Sequence, residues 1–382
     1  MRPTDTMACP VCGMGLVEDT SVPCESCGFA YPSARFFASP AAYSAWRDLA
    51  TDYERESLGR VRARLSSAFA LQGGGQGEIF LLNPQTSELL ACNGRRGKVV
   101  LKEGLRAYAA SGHVVAVCDG GGLEWLSKAP SFDLPQGSDF VGVSINSQCV
   151  FGIRSNGSVA VGGDCAYRKE VEHWRSVEEL AAGEYHVAAR IADGSVLFAC
   201  SPYALDAFRN AQWRRDVVQI VSGRDCTLGL TSSGTVLFAG PEGDARSGVT
   251  EWSDVVSIAV EGMYAVGLTS SGTVLLAGDQ ERSLDRGRSE AAAWTDVVAI
   301  ACGSACIIGL FHDGELRVAG SAPRRLNDVW PKEQAHRWIW RVAQLSESGD
   351  AHAARAVTQP PPTRTHEASF QTRVNAAIMT KN

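Results

Sequence analysis

The sequence predicts an all-β fold, either a β-propeller or a β-solenoid, from three observations. First, one unit of 25 residues occurs three times without a gap, at 216–240, 254–278 and 296–320. Second, short apolar, β-branched runs alternate with turn residues inside each unit, and no helical period is visible. Third, the units recur about every 40 residues, the spacing of small elements that bury their apolar faces only by stacking.

More copies emerge once the columns of the repeat are fixed. Two further clear copies lie at 139–163 and 176–200, and weaker ones lie near 103–127 and 69–93. The first residues of the five clear copies are 37, 40, 38 and 42 residues apart. The chain therefore holds seven approximate repeats, of which the first two are degenerate.

Each repeat predicts short strands separated by turns. In the copy at 216–240, Val217, Val218 and Ile220 form a first apolar run, 226–230 forms a second and 235–238 a third. A glycine precedes the third run in every clear copy, where a tight turn requires a positive φ. These glycines are Gly157, Gly194, Gly234, Gly272 and Gly314.

The repeated pattern W-x-D-V-V-x-I-x-x-G-x-x-[HC]-x-x-x-L-x-x-x-G-x-V-x-x-x-G resembles the regulator of chromosome condensation repeat family. The compact bacterial form, as in the propeller-type β-lactamase inhibitor proteins, is the most similar. The resemblance covers about residues 70–330. It implies a closed seven-bladed β-propeller, and in those inhibitors the rim loops hold a partner protein.

A second motif lies near the N-terminus, where two C-x-x-C pairs are separated by eleven residues and each is followed by glycine. The four thiolates of Cys9, Cys12, Cys24 and Cys27 can close a tetrahedral zinc site, and this part of the chain resembles a zinc ribbon. Four thiolates leave no open position for a substrate water, so one structural Zn²⁺ per chain is expected. The alternatives are two disulfides in an oxidising compartment, or iron in a rubredoxin-like site.

The chain divides into four predicted parts: a zinc ribbon at 1–32, an amphipathic helical connector at 33–72, the propeller at 73–345 and a partly disordered tail at 346–382. In the connector, apolar residues recur at three- to five-residue steps. Its helices either brace the ribbon on the propeller or dock another protein. The Gly-rich tract 72–77 predicts a boundary or turn, and alternation at Trp338, Trp340 and Val342 predicts a strand that closes the ring.

Composition excludes some classes of partner. The 382 residues carry a formal net charge of −6 with a pI near 5.7, which gives no general attraction to nucleic acid. No stretch is long and apolar enough for a membrane span, and no signal peptide is visible, so a cytoplasmic protein and a monomeric propeller are expected.

Several cysteines occupy one column of the repeat, at Cys149, Cys226 and Cys306, where His186 stands in another copy. Members of one column lie one repeat apart, which is poor placement for disulfides. We interpret them as buried thiols that behave as small hydrophobic side chains. The alternative is a metal or redox role for the column. Unpaired core thiols favour a reducing cytoplasm.

No nucleophile elbow, P-loop, metalloprotease motif or dinucleotide fingerprint occurs in context. The chain is therefore expected to be a non-enzymatic scaffold or adaptor that binds a protein partner. The alternatives are a nucleic-acid-associated regulatory factor that uses the zinc ribbon, or an unrecognised enzyme of the propeller rim.

The candidate partner-binding residues form two groups. The first varies between copies while the surrounding framework is kept, and contains Tyr185, Arg224, Asp225 and Met263. These residues should recur once per repeat along one rim, and Tyr, Arg and Met are enriched at protein interfaces. The second is a repeated tryptophan column, which either packs between repeats or adds to the contact surface. It consists of Trp174, Trp213, Trp252 and Trp294.

Overall fold

The computed structural model describes residues 7–8, 16–17, 62, 71–73, 79–83, 88–93, 97–208, 211–213, 215–262, 264–278, 287–303, 306–321 and 332. Within these ranges the fold is all-β, as expected, and the strands form small antiparallel sheets. A two-stranded sheet pairs β1 (Met7–Ala8) with β2 (Leu16–Val17). These four residues are the described part of the predicted zinc ribbon.

Seven further sheets follow in chain order within the described residues. Sheet 1 has four strands and the other six have three each. Sheet 1 contains β3 (Leu71–Gly73), β4 (Ile79–Asn83), β5 (Glu88–Asn93) and β6 (Gly97–Lys102); sheet 2 contains β7 (Leu105–Ser111), β8 (His113–Cys118) and β9 (Leu123–Trp125); sheet 3 contains β10 (Phe140–Ile145), β11 (Cys149–Arg154) and β12 (Val159–Gly163). Sheet 4 contains β13 (Val177–Ala182), β14 (His186–Ile191) and β15 (Val196–Cys200); sheet 5 contains β16 (Val217–Ser222), β17 (Thr227–Thr231) and β18 (Val236–Ala239); sheet 6 contains β19 (Val255–Glu261), β20 (Tyr264–Thr269) and β21 (Val274–Gly278); sheet 7 contains β22 (Val297–Gly303), β23 (Cys306–Phe311) and β24 (Leu316–Gly320).

Short helical segments follow the third strands of sheets 3 to 6. They are α1 (Arg168–Glu172), a 3-10 turn at Pro202–Ala204 continued by α2 (Leu205–Phe208), and 3-10 helices at Ala245–Glu251 and Arg288–Ala293. In the part of the chain that the structure describes, no helix is long and apolar enough to cross a membrane.

Each of the five clear sequence copies is one three-stranded sheet, which confirms the repeat as the structural unit. The first strand carries the same irregularity in all five, because the register shifts after its first residue; in sheet 5 this lies between Val217 and Gln219. A β-bulge at a fixed place adds local twist to each strand. The repeat thus encodes the shape of the sheet as well as its apolar positions.

The sheets follow one another through their first strands. β7, β10, β13, β16, β19 and β22 each contact the next in turn, and β22 contacts β3 of sheet 1, while β4 contacts β7. Contact between the last sheet and the first is the property of a propeller and not of a solenoid, since a solenoid leaves its two ends apart. The arrangement is a β-propeller.

The first strands are tied together by side chains that pair with a neighbouring backbone. The amide of Gln219 donates to the carbonyl of Ile258 and accepts from its N–H, at 3.3 and 3.1 Å. Gln72 does the same with Ala110, at 2.8 and 3.1 Å. Gln72 lies in β3, although the sequence placed it in a boundary or turn. β3 is therefore the innermost strand of sheet 1. It lies beside β22 on one side and is hydrogen-bonded to β7 on the other.

The repeated turn glycine has a positive φ, as predicted, with values from 76° to 87° in the five clear copies. In four of the five copies this glycine also contacts the next sheet, because its carbonyl accepts the N–H of the following first strand. Gly234 accepts from Val255 at 3.0 Å, and Gly272 accepts from Val297 at 3.0 Å. A Cβ at Gly194 would stand 2.9 Å from the backbone nitrogen of Asp216. Glycine is needed for the turn and for the junction between sheets.

The cysteine column lies in the core, as predicted. Cys149, Cys226 and Cys306 are fully buried and free. Burial raises the pKa of Cys226 to about 12 and that of Cys306 to about 11, so both are neutral thiols. Cys149 has a neighbour that the sequence did not suggest. It lies in the same buried cluster as Cys165, which follows just beyond β12, and the neighbouring Cys165 thiol raises its pKa.

Candidate functional site

The described loops between the first and second strands lie at one end of the ring, and we name them the upper rim. The upper rim holds 146–148 in sheet 3, 183–185 in sheet 4, 223–226 in sheet 5 and the turn after Glu261 in sheet 6. Three of the predicted variable residues, Tyr185, Arg224 and Asp225, are described and lie here. Met263 lies outside the described residues.

Hydrogen bonds join three neighbouring loops of the upper rim. The backbone N–H of Glu184 donates to the carbonyl of Arg224 at 2.7 Å. The hydroxyl of Ser147 donates to the Glu184 carboxylate at 3.1 Å. The Tyr185 side chain lies beside the Arg224 guanidinium and is the main cause that raises the pKa of Arg224. The structure therefore brings Tyr185, Arg224 and Asp225 together, as the repeat columns predicted.

Arg246 supports this surface from below, and sequence reasoning missed it. It is 3% exposed and forms ion pairs with Asp244 and, at 2.6 Å, with Asp225. It also donates to the carbonyl of Gly262 at 2.7 Å, which links the loops of sheets 5 and 6. Burial lowers the pKa of Arg246, but the hydrogen bonds to Asp244 and the other acceptors outweigh it and raise the pKa overall. A useful signal was Asp244 two residues before the arginine, since an aspartate there caps the 3-10 helix.

An apolar patch borders the same loops. Tyr203 is 96% exposed and Leu205 46%, and both lie in the helical segment after sheet 4. The backbone N–H of Ser201 donates to the carbonyl of Tyr185 at 2.8 Å, which places this segment against the upper rim. Tyr185 is itself 37% exposed. The corresponding segments after sheets 3, 5 and 6 each have a buried or half-buried arginine near their start. The segment after sheet 4 has the exposed Tyr203 and Leu205 there instead.

A channel of about 630 Å³ runs between the first strands and is lined near the upper rim by Glu184, Arg224 and Glu261. Deeper in, Arg190 donates to Glu178 at 2.7 Å and to Glu179 at 3.1 Å. Burial raises the pKa of Glu179, and the charge of Arg190 opposes this. Among the described residues that line the channel, acidic side chains therefore outnumber basic ones.

Three of the four column tryptophans pack against a glycine of the middle strand. A Cβ at Gly229 would lie 2.7 Å from the Trp213 ring, and Gly267 and Gly309 stand equally close to Trp252 and Trp294. Trp174 and Trp213 are 7% and 9% exposed, and Trp252 and Trp294 are half-buried. This placement favours a role for the tryptophan column in packing within the repeat. Contact with a partner stays a prediction.

The predicted zinc ligands Cys9, Cys12, Cys24 and Cys27 lie outside the described residues. Within the described ranges, no group of three or more His, Cys, Asp or Glu side chains is arranged to hold a metal ion. His186, which shares the column with the cysteines, is fully buried.

No protein-family model matches this chain. No curated protein sequence matches it either. Among solved structures, it is similar to the CRINKLY WD40 ectodomain of the Arabidopsis thaliana receptor kinase ACR4, with 14% identity and a TM-score of 0.49 over 67% of this chain and 96% of that one. It is also similar to Prp20p of Saccharomyces cerevisiae, with 14% identity and a TM-score of 0.40 over 64% and 70%, and to human WBSCR16, with 16% identity and a TM-score of 0.40 over 67% and 78%. At such identities, function does not follow from these similarities. The propeller assignment depends on the ring of sheets described above.

Proposed function

We propose that this protein is a non-enzymatic scaffold that binds a protein partner through the upper rim around Tyr185. The proposed molecule is a closed propeller of seven blades, each blade being one of the seven sheets, with a structural zinc ribbon at its N-terminal end. The remainder of the proposal rests on the described part of the ring.

The observation that carries the proposal is the joined surface of Tyr185, Tyr203, Leu205 and Arg224. Isolated exposed apolar residues are ordinary on protein surfaces, but two tyrosines, a leucine and an arginine on hydrogen-bonded segments match the composition of protein interfaces. Tyrosine and arginine are also the side chains that most often dominate binding energy.

The framework beneath this surface favours tight recognition. Arg246 fixes Asp225 and the backbone at Gly262, and Glu184 is held by both neighbouring loops. Side chains that are already ordered lose less conformational entropy when a partner binds. These contacts favour a protein-binding surface on the upper rim that is already ordered before a partner binds.

Charge on the upper rim supports a protein over a nucleic acid. The carboxylates of Glu184, Asp225 and Glu261 outnumber the exposed guanidinium of Arg224. A phosphate backbone requires a basic face, and its binding weakens steeply with salt. Arg190, which could otherwise attract an anion into the channel, is already paired with Glu178 and Glu179.

The test is capture of partners by the full chain and by the variant Tyr185→Ala/Tyr203→Ala/Arg224→Ala. We expect the variant to lose at least ~90% of the partner retained by the parent, since each of these residue types commonly contributes about 1–2 kcal/mol or more. A matched control, Asn156→Ala/Ser232→Ala, changes exposed residues at the other end of the ring and should retain the partner. Equal capture by parent and triple variant, at equal melting temperature, would place the binding site elsewhere.

A further inference from the structure

Cys165 follows sheet 3 in the chain and is held on both sides by residues that flank Cys149. Before it, Gly163 pairs with Cys149 at the end of the β11–β12 ladder, and a Cβ at Gly163 would stand 3.1 Å from the Cα of Cys149. After it, the ring of Tyr167 stacks on Phe151, with 6.3 Å between the ring centroids. Consecutive Cα atoms are ~3.8 Å apart, so two residues on each side keep Cys165 close to Cys149.

A buried amide fixes the same approach with hydrogen bonds. Asn146 is 2% exposed, and its amide nitrogen donates to the Tyr167 hydroxyl at 3.1 Å. The oxygen of the same amide accepts the backbone N–H of Cys149 at 2.8 Å. The Cys165 carbonyl accepts the backbone N–H of Arg168 at 3.0 Å, where α1 begins. The segment that carries Cys165 is therefore tied to the start of β11.

The two thiols share one apolar cluster but differ in their access to solvent. Both are free, and Cys149 is fully buried. Cys165 is 7% exposed and lies between the exposed Asp164 and Ala166. The neighbouring Cys149 thiol lowers the pKa of Cys165, against the effect of burial. Since the thiolate is the form that reacts with oxidants, Cys165 is the more reactive thiol of the two.

Other copies of the repeat have the column cysteine without a second thiol beside it. Cys226 takes the place of Cys149 in sheet 5, and the residue that corresponds to Cys165 there is the exposed Glu242. The copy that holds Cys306 has an alanine at that position. The paired thiols therefore distinguish sheet 3 from these two copies, which carry the same column residue.

We propose that Cys165 and Cys149 form an oxidative modification site, at which hydrogen peroxide converts the two thiols to a disulfide bond. The Cys165 thiolate attacks one peroxide oxygen, so that an S–O bond forms, the O–O bond breaks and hydroxide leaves and is protonated to water. The Cys149 sulfur then loses its proton and attacks the sulfur of Cys165. The S–S bond forms, the S–O bond breaks and the second oxygen also leaves as water.

Two thiols and one peroxide thus give one disulfide and two waters, and a thiol reductant reverses the change. Neither thiol belongs to the surface around Tyr185, so the site is independent of the function proposed for the upper rim.

The test uses the full chain, which is reduced and then treated with hydrogen peroxide in its folded state. Catalase removes the peroxide, iodoacetamide blocks free thiols during denaturation, and trypsin digests the chain without reductant. Trypsin cleaves after Arg154, so Cys149 and Cys165 fall in the separate peptides 129–154 and 155–168. We expect mass spectrometry to find these peptides joined, lighter than their sum by two hydrogens, and to find them separate after dithiothreitol.

Two variants separate this link from general oxidation of cysteine. In Cys149→Ala the first step can occur and the second cannot, so we expect at least about fivefold more dimedone adduct on Cys165 than in the parent, because its sulfenic acid persists. The matched control Cys226→Ala removes a thiol of the same column and should form the joined peptides as the parent does. Separate peptides from the treated parent, or Cys165 joined to a different cysteine, would overturn the proposal even if Cys149→Ala does not fold.

Discussion

At the residue scale, His186 occupies a column position that holds a different type of side chain in the other sheets. Cys149, Cys226, Tyr264 and Cys306 hold the equivalent position in other sheets. The Nε2 of His186 lies 2.8 Å from the Thr227 hydroxyl, which lies 2.8 Å from that of Ser222, and Ser222 donates to the Ala181 carbonyl. The Ala181 carbonyl can only accept, so the Ser222 hydroxyl donates to it and accepts from the Thr227 hydroxyl. Thr227 then accepts from His186, and Nε2 therefore carries the proton. The ring is neutral and also packs against Phe208, with the two ring planes tilted by 31°.

The first residue-scale prediction concerns acid. Burial lowers the pKa of His186 to about 3, with a small opposing effect from Asp225, against an ordinary value near 6.5. Between about pH 6.5 and 3 the unfolded chain therefore binds a proton that the folded chain does not, and stability falls as the pH is lowered. The contribution reaches about 1.4 kcal/mol per pH unit.

Replacement by the residue used elsewhere in the column, His186→Cys, should remove this contribution. The measurement is the free energy of unfolding in denaturant between pH 6.5 and 4.5, compared as a slope between the variant and the parent. His173→Gln is the control for loss of one histidine from the chain. An unchanged slope in His186→Cys would show that the imidazole takes up its proton in the folded state.

At the element scale, the apolar clusters lie between neighbouring sheets and hold each sheet to the next. Cys226, Leu228, Val236 and Val255 are buried in one cluster that contains residues of both sheet 5 and sheet 6. The cluster crosses the junction, so no sheet buries its faces alone. This is the physical reason that the repeat needs neighbours.

Val236 and Cys226 allow this to be measured within one sheet. Val236→Asp places an unpaired carboxylate at a site that is 2% exposed, and we expect a loss of several kcal/mol, enough to unfold the ring. Cys226→Ala removes one buried sulfur and should cost about 1–2 kcal/mol. Thermal and denaturant unfolding of both variants decide the point. A loss in Cys226→Ala as severe as in Val236→Asp would give that thiol a role beyond packing.

At the scale of the whole molecule, the ring is continuous through its first strands, and Arg62, which precedes them in the chain, is buried against Ser270 and Gly272 of sheet 6. Burial lowers the pKa of Arg62 to about 10, and the charges of Asp296 and Asp254 oppose this. This contact joins Arg62 itself to the ring. The rest of the predicted connector before Leu71 lies outside the described residues, so its bracing role stays a prediction.

The zinc prediction belongs to this scale, because metal binding would fold the N-terminal part of the full chain. We expect about one Zn²⁺ per chain by metal analysis, since four-thiolate sites rarely fold without their ion. Cys24→Ser/Cys27→Ser should lose the metal while the propeller keeps its unfolding transition. Metal-free parent protein, or unchanged zinc in the double variant, would contradict the zinc ribbon.

The sequence by itself determined the repeat, its strands and the turn glycines, because these depend on local periodicity and on a backbone conformation that one residue type adopts freely. It also placed Cys226 in the core and Tyr185 with Arg224 on one rim, since identical columns must recur at equivalent places in a ring. Only the tertiary structure decided what depends on contacts between unlike segments. Examples are Arg246 beneath the upper rim, the segment of Tyr203 against Tyr185, Cys165 beside Cys149, and Arg62 against Gly272. Each contact involves a residue outside the shared columns, where periodicity carries no information about which side chains meet.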